Sequence, residues 1–151
     1  GSLVVLRPRG TAQDDSNVQL PIRIGSIEAA AISAGVDTSN QERPLTHGLM
    51  LDIVTQMGGE LESVEIVDVR GTTFYASLNI TCESGRHVEV DARPSDAIAL
   101  AVRARVPIFA DERVIERASM PDFAQVEHDE KQQELKDFHD FVENLSPDDF
   151  K

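Results

Sequence analysis

The chain has no tryptophan, one tyrosine and a single cysteine, Cys82, among its 151 residues. One cysteine excludes an internal disulfide and leaves no thiolate set for a zinc site, so burial alone has to hold the fold. Lysine is absent from residues 1–110, where nine arginines face 14 acids; residues 111–151 carry five basic and 13 acidic residues. A net charge of −13 argues against a surface dedicated to polyphosphate, because such binding is driven by neutralising Lys and Arg. The denser acidic excess lies in the tail, however, and an all-arginine basic set suits bidentate phosphate contact, although GC-rich codon usage would produce the same bias. No run approaches the roughly 20 apolar residues of a membrane span, and no signal peptide is visible, so a soluble, cytoplasmic chain is expected. A glycine-rich phosphate loop, a Ser-His-Asp series and an HExxH pattern are all missing.

What is present is concentrated in Val90-Asp91-Ala92-Arg93-Pro94-Ser95-Asp96-Ala97-Ile98-Ala99-Leu100-Ala101-Val102-Arg103. His87 to Asp91 alternates polar and apolar residues as a strand does, and Pro94 supplies the fixed φ of a first helical position. The alanines that follow leave a nearly bare backbone against which another element can pack closely. Asp96 falls in the first turn, where a carboxylate is stabilised by unpaired N–H groups and the helix dipole. The same design occurs in Leu20-Pro21-Ile22-Arg23-Ile24-Gly25-Ser26-Ile27-Glu28-Ala29-Ala30-Ala31-Ile32. A shift of 68 positions matches Ile22 with Val90, Glu28 with Asp96, Ala29 with Ala97 and Ile32 with Leu100. This reads as an internal strand-turn-helix duplication, of the kind that packs around one core.

The remaining pattern predicts an α+β domain over 3–118, with a mixed, largely antiparallel sheet and packed helices. Leu3 to Leu6 and the segment ending at Ile24 form a hairpin across the polar run Arg9 to Asn17. The first helix starts at Ser26 as N-cap and ends at Gly35; a second starts at Thr46 as N-cap and ends at Gly58-Gly59. In the second, Leu49, Met50, Ile53, Val54 and Met57 recur at helical spacing, which predicts one buried face. Strands over 61–70, 73–82 and 86–91 form a meander, with Phe74, Ala76, Leu78 and Ile80 facing the core and the phase change at Val67 and Val69 implying a bulge or two-sided cover. Pro107 to Ala110 adds a short strand and Asp111 to Arg117 a short helix. Residues 119–151 form a separate acidic extension, in which Leu135, Phe138, Val142 and Leu145 draw the stripe of an amphipathic helix that needs a surface to dock on.

In order and spacing, Leu20-Pro-Ile-Arg-Ile-Gly25 with Glu28-Ala29, Arg43-Pro-Leu-Thr-His47, Thr73-Phe-Tyr-Ala76 and Asp91-Ala-Arg-Pro-Ser-Asp-Ala-Ile-Ala-Leu100 resemble the bifunctional nuclease domain family. The resemblance implies a compact α+β fold, action on both RNA and DNA, and homo-oligomers, with a dimer the first choice. Two departures stand out: the family usually has an Asp where this chain has Gly48, and its leading segment is not seen before Leu3, where Gly1-Ser2 reads as a cloning remnant.

Phosphodiester hydrolysis needs an activated water and neutralisation of charge on the phosphate, usually with oxygen-ligated metal. Asp91, Asp96, His47 and Glu28 are the candidate catalytic residues, and Arg43, Arg93, Thr46 and Ser95 the candidate substrate contacts. Asp91 and Asp96 are also candidate ligands for Mg²⁺ or Mn²⁺, which prefer carboxylates. Each has a structural counterpart: an acid in a first turn caps its helix, Arg93 can pair with Asp91 or Asp96, and His47 can tie a loop to its helix. The expected activity is a weak, metal-assisted or acid–base nuclease; the alternative is a non-catalytic oligomeric module that binds a small ligand, a nucleic acid or a protein.

Overall fold

Alternation of apolar residues in the middle of the chain produces the main sheet. In the computed structural model, which describes residues 1–9, 18–121 and 135, β1 is Ser2–Leu6, β2 Val18–Ile24, β3 Gly59–Arg70, β4 Thr73–Cys82, β5 His87–Ala92, β6 Ile108–Ala110 and β7 Met120–Pro121. The helices are α1 Ser26–Val36, α2 Thr46–Gln56, α3 Pro94–Ala104 and α4 Glu112–Ala118. Strands β5-β4-β3-β6 form one sheet, antiparallel except for the parallel β3–β6 pair. Two register shifts interrupt β3, between Leu61 and Ser63 and between Ile66 and Asp68. The second shift is the bulge expected from the phase change, and it lets Val64, Ile66 and Val69 all reach the core. Ala76 and Leu78 are buried on the same face, with Phe74 and Ile80 packed against the cluster.

The chain divides into two units. Gly1–Leu6 with Leu20–Ser119 form the first, and Arg7–Gln19 with Met120–Lys151 the second. Within the first, β1 pairs antiparallel with β2 from Ser2↔Ile24 to Leu6↔Leu20, so the expected hairpin strands are present, in a sheet separate from the meander. Within the second, Val18 and Gln19 pair with Pro121 and Met120. The C-terminal amphipathic helix expected over 127–145 lies outside the described residues apart from Leu135, which is helical and exposed. Among the described residues no helix is long and apolar enough to cross a membrane.

Helix α3 is the centre of the first unit. Ser95, Ala97, Ile98, Ala99, Leu100 and Ala101 are all buried, and the helix packs on α1, α2, β3 and β4. Small residues permit this: at Gly35 of α1 a Cβ would stand 3.4 Å from Arg103 Cβ and 3.5 Å from the Ala99 carbonyl oxygen. Gly35 therefore serves the α1–α3 approach and does not end α1, which runs on to Val36. The helix starts also shift by one residue. Gly25 and Leu45 are the N-caps, without side-chain cap bonds, and Ser26 and Thr46 are the first helical residues. Asp111 does cap α4, accepting from the Arg113 N–H at 2.9 Å.

The face of α2 is where sequence and structure part most clearly. Of the face expected to be buried, Leu49, Met50, Ile53 and Met57 are exposed, by 39% to 83%, and Val54 alone is half-buried; Gly48 is buried and His47 and Leu51 are half-buried beside it. Both sets have helical spacing. The buried one wins because α2 packs against α3 and β3, where Gly48 admits the Arg103 guanidinium, with Nη1 3.1 Å from the position of a Cβ, and Val54 Cγ1 meets Gly59.

Candidate functional site

Glu28 and Asp96 occupy equivalent places, each the third residue of a helix that directly follows a strand. Both acids reach the same cation. Arg93 Nε donates to Asp96 Oδ2 at 2.9 Å, and its Nη1 donates to Glu28 Oε1 at 3.4 Å. The remaining Asp96 oxygen, Oδ1, lies 2.9 Å from His47 Nε2, which α2 delivers from 49 residues upstream. The row Glu28–Arg93–Asp96–His47 thus joins the first turns of α1, α2 and α3. Its members differ in exposure: the His47 side chain is 14% exposed, Asp96 31% and Arg93 64%.

Burial raises the Asp96 carboxyl pKa, but the hydrogen bonds and charges of Arg93 and His47 outweigh it and hold the group below the ordinary aspartate value. Arg93 is shifted up in turn, chiefly by its hydrogen bond to Asp96. An ionised carboxylate can only accept, so His47 Nε2 carries the proton of that bond and the neutral ring keeps a lone pair on Nδ1. An imidazole fixed in this way can take a proton from water. The exposed guanidinium beside it can hold an anion.

Glu28 owes its place to Gly25. Its Oε2 lies where a side chain on Gly25 would begin, so the glycine at the N-cap makes room for the carboxylate to fold back over the helix start. Ser95 is 93% buried in the first turn of α3 and its hydroxyl makes no hydrogen bond among the described residues. Arg43 and Thr46 are exposed at the entry to α2, within four residues of His47 in the chain, and make no side-chain hydrogen bond among the described residues.

Asp91 is not gathered into this row. Strand alternation sends it to the face of the sheet opposite the buried one, beside Ser77 and, one strand further, Glu65, and together with Glu89 it lines a separate shallow hollow. Its side chain makes no hydrogen bond or ion pair among the described residues. Asp91 and Asp96 therefore do not fit as a shared pair of Mg²⁺ or Mn²⁺ ligands: they face different surfaces, and both Asp96 oxygens are already engaged. Among the described residues no group of three His, Cys, Asp or Glu could hold a metal.

Two features had no signal in the sequence. Arg103 reaches over Gly48 to donate to Gln41 Oε1 at 3.1 Å, and its Nε is buried without a partner among the described residues. Gly48 is the position at which the family resemblance leads to the expectation of an Asp. The second is a cleft of about 320 Å³ beside Arg93, lined also by Arg23, Thr72, Thr73 and Phe74. In the sequence Arg23 and Thr73 stand only within the motifs Leu20–Gly25 and Thr73–Ala76, with nothing to place them beside Arg93.

Known proteins resemble this chain along most of its length. A family model described as the bifunctional nuclease domain matches residues 5–122. An uncharacterised protein of Mycobacterium tuberculosis (strain CDC 1551 / Oshkosh) is 41% identical over 136 residues, covering 87% of this chain and 80% of that protein. Proteins named bifunctional nuclease 2 from Oryza sativa subsp. japonica and Arabidopsis thaliana are 32% and 30% identical over 99 and 98 residues. Those matches cover 64% of this chain and 30% of each plant protein.

Proposed function

The chain belongs to the bifunctional nuclease domain family, and on that premise we propose that it hydrolyses phosphodiester bonds of RNA and DNA at the His47–Asp96–Arg93 cluster. The observation that carries this reading is the Asp96 carboxylate, which engages His47 Nε2 and Arg93 Nε at 2.9 Å each and so orients a base and a cation together. DNA has no 2′-hydroxyl, so a mechanism common to both nucleic acids uses water as nucleophile. His47 Nδ1 takes a proton from that water as its oxygen bonds to phosphorus. The bond from phosphorus to the departing nucleoside oxygen breaks, and that oxygen takes a proton from the imidazolium or from solvent. Arg93 neutralises the charge that builds on the non-bridging oxygens. Ser95, Arg43 and Thr46 supply further phosphate contacts, and Glu28 holds Arg93 in place.

The test compares the parent with His47→Gln, purified side by side, on labelled RNA and DNA with Mg²⁺, Mn²⁺ or a chelator. Loss of about a hundredfold or more in the variant supports the acid–base role. Cleavage that survives chelation fits the engagement of both Asp96 oxygens; cleavage abolished by chelation defeats the metal-free acid–base reading, and equal rates in parent and variant defeat the assignment of His47.

A second reading, a non-catalytic oligomeric binding module, is favoured by one observation: the exposed apolar stripe Leu49, Met50, Ile53 and Met57 on α2. Contiguous apolar surface of this kind marks an association face. A homodimer through this face is compatible with either reading.

A further inference from the structure

The cleft beside Arg93 is built unlike the rest of the surface. One wall is the start of α3, with Arg93, Pro94 and Ser95; another is the end of β2 and the start of α1, with Arg23, Gly25 and Glu28; the β3–β4 turn closes it with Thr72, Thr73 and Phe74. Ile22 and Ile24 contribute buried apolar surface. Neither Gly25 nor Arg93 makes a side-chain cap bond among the described residues, and with Glu28 folded over the start of α1 the start of α3 is the one left for an anion. Ser95 is the one buried polar side chain among the described residues, it lines this cleft, and its hydroxyl has no partner. Its oxygen is not sealed from solvent but opens on the cleft, where the hydroxyl can donate to an acceptor oxygen of a ligand.

We propose that this cleft holds one unpaired nucleotide of a single-stranded nucleic acid, with its phosphate on Ser95, Arg93 and Arg23 and its base against Phe74. The proposal rests on the nuclease reading and adds its substrate class. The volume of about 320 Å³ lies at the lower end of small-molecule sites, on the order of 300–1,000 Å³. Such a space takes one nucleotide and excludes a base pair. A base inside a duplex is covered on its pairing edge and both faces, so it enters only when unpaired. The phosphate belongs at the α3 side, because Glu28 occupies the start of α1 and would repel it. The same carboxylate accepts hydrogen bonds from a sugar hydroxyl or a base amino group, which suits it to the neutral part of the ligand. Phe74 is half-buried, with apolar surface left to cover.

The test uses the full chain in two arms. In the first, calorimetry measures binding of adenosine 5′-monophosphate, adenosine and inorganic phosphate to the parent, Ser95→Ala and Arg23→Gln. The nucleotide is expected to bind at least about tenfold more tightly than either of its parts, and each variant to weaken it by about two- to tenfold, the worth of one hydrogen bond. Ser95→Ala is expected to melt no lower than the parent, since alanine suits a helix and removes an unpaired hydroxyl; lower stability with unchanged nucleotide affinity would show Ser95 to be structural and overturn its role. Phosphate binding as tightly as the nucleotide reduces the cleft to an anion site and overturns the proposal. In the second arm, single-stranded oligonucleotides are expected to be cut at least about tenfold faster than the same sequence in a duplex. Equal rates overturn the single-strand preference and leave the nuclease reading standing. Nucleotide binding without cleavage of either substrate keeps the cleft and defeats the nuclease reading.

Discussion

Asp96→Asn separates catalysis from folding more sharply than any other change to this molecule. The side chain keeps its size, and Asn Oδ1 still accepts from Arg93 Nε, but Nδ2 then faces His47 and can only donate. The imidazole answers by placing its lone pair on Nε2 and its proton on Nδ1, so the atom that would take a proton from water no longer can. The His47 contact is well shielded and the Arg93 contact lies near solvent, at 14% and 64% side-chain exposure. A charge-assisted bond in the first setting contributes about 1.5–3 kcal/mol and one in the second about 0–1 kcal/mol, and because Asn retains neutral versions of both, the loss of stability should be about 1–2 kcal/mol. For a unit of roughly 100 residues this corresponds to a fall in Tm of about 5–15 °C. Cleavage, by contrast, should drop by about 10² to 10⁴, the range for a general base in the wrong tautomer. Initial rates on labelled single-stranded DNA and RNA, with melting followed by circular dichroism, measure both quantities. Parent-like cleavage by Asp96→Asn refutes the reasoning. Acid sensitivity supplies a second check: the folded pKa of Asp96 lies below its ordinary value of 3.8, so its contribution to stability is complete above that value and is lost as pH falls through the depressed one. Asp96→Asn should therefore unfold less steeply than the parent as pH drops below about 4.

Arg105, which ends α3 with φ 58° and ψ 45°, is the one non-glycine residue with positive φ among those described; Arg105→Gly should stabilise by about 0.5–1 kcal/mol in chemical denaturation. Gly48→Asp places an acid in the first turn of α2 against the Arg103 guanidinium, whose Nε lacks a partner. It should raise stability by about 1 kcal/mol, and a lower Tm than the parent would mean that Arg103 cannot make room. Ile53→Glu with Met57→Glu should convert a dimer to a monomer in light scattering at roughly tens of micromolar without lowering Tm; a parent that is already monomeric there removes α2 as a dimer face.

Local chemistry was legible where one short stretch carried it. Pro94 announced the start of α3, the alternation of Phe74, Ala76, Leu78 and Ile80 set the buried face of β4, and the 68-residue offset put Glu28 and Asp96 at the same helical position. Sequence alone determined these because each depends on spacing within one element. Tertiary structure decided what spacing cannot express. Two apolar stripes on α2 were equally periodic, and packing against α3 chose the one with Gly48, Leu51 and Val54. Asp91 and Asp96 are five residues apart, yet strand alternation turned one to the far face of the sheet while the helix start turned the other toward His47, 49 residues away. A site made by three helix starts exists only once those helices meet, because the contacts that link one helix to another, His47 to Asp96 and Glu28 to Arg93, join residues that share no local pattern.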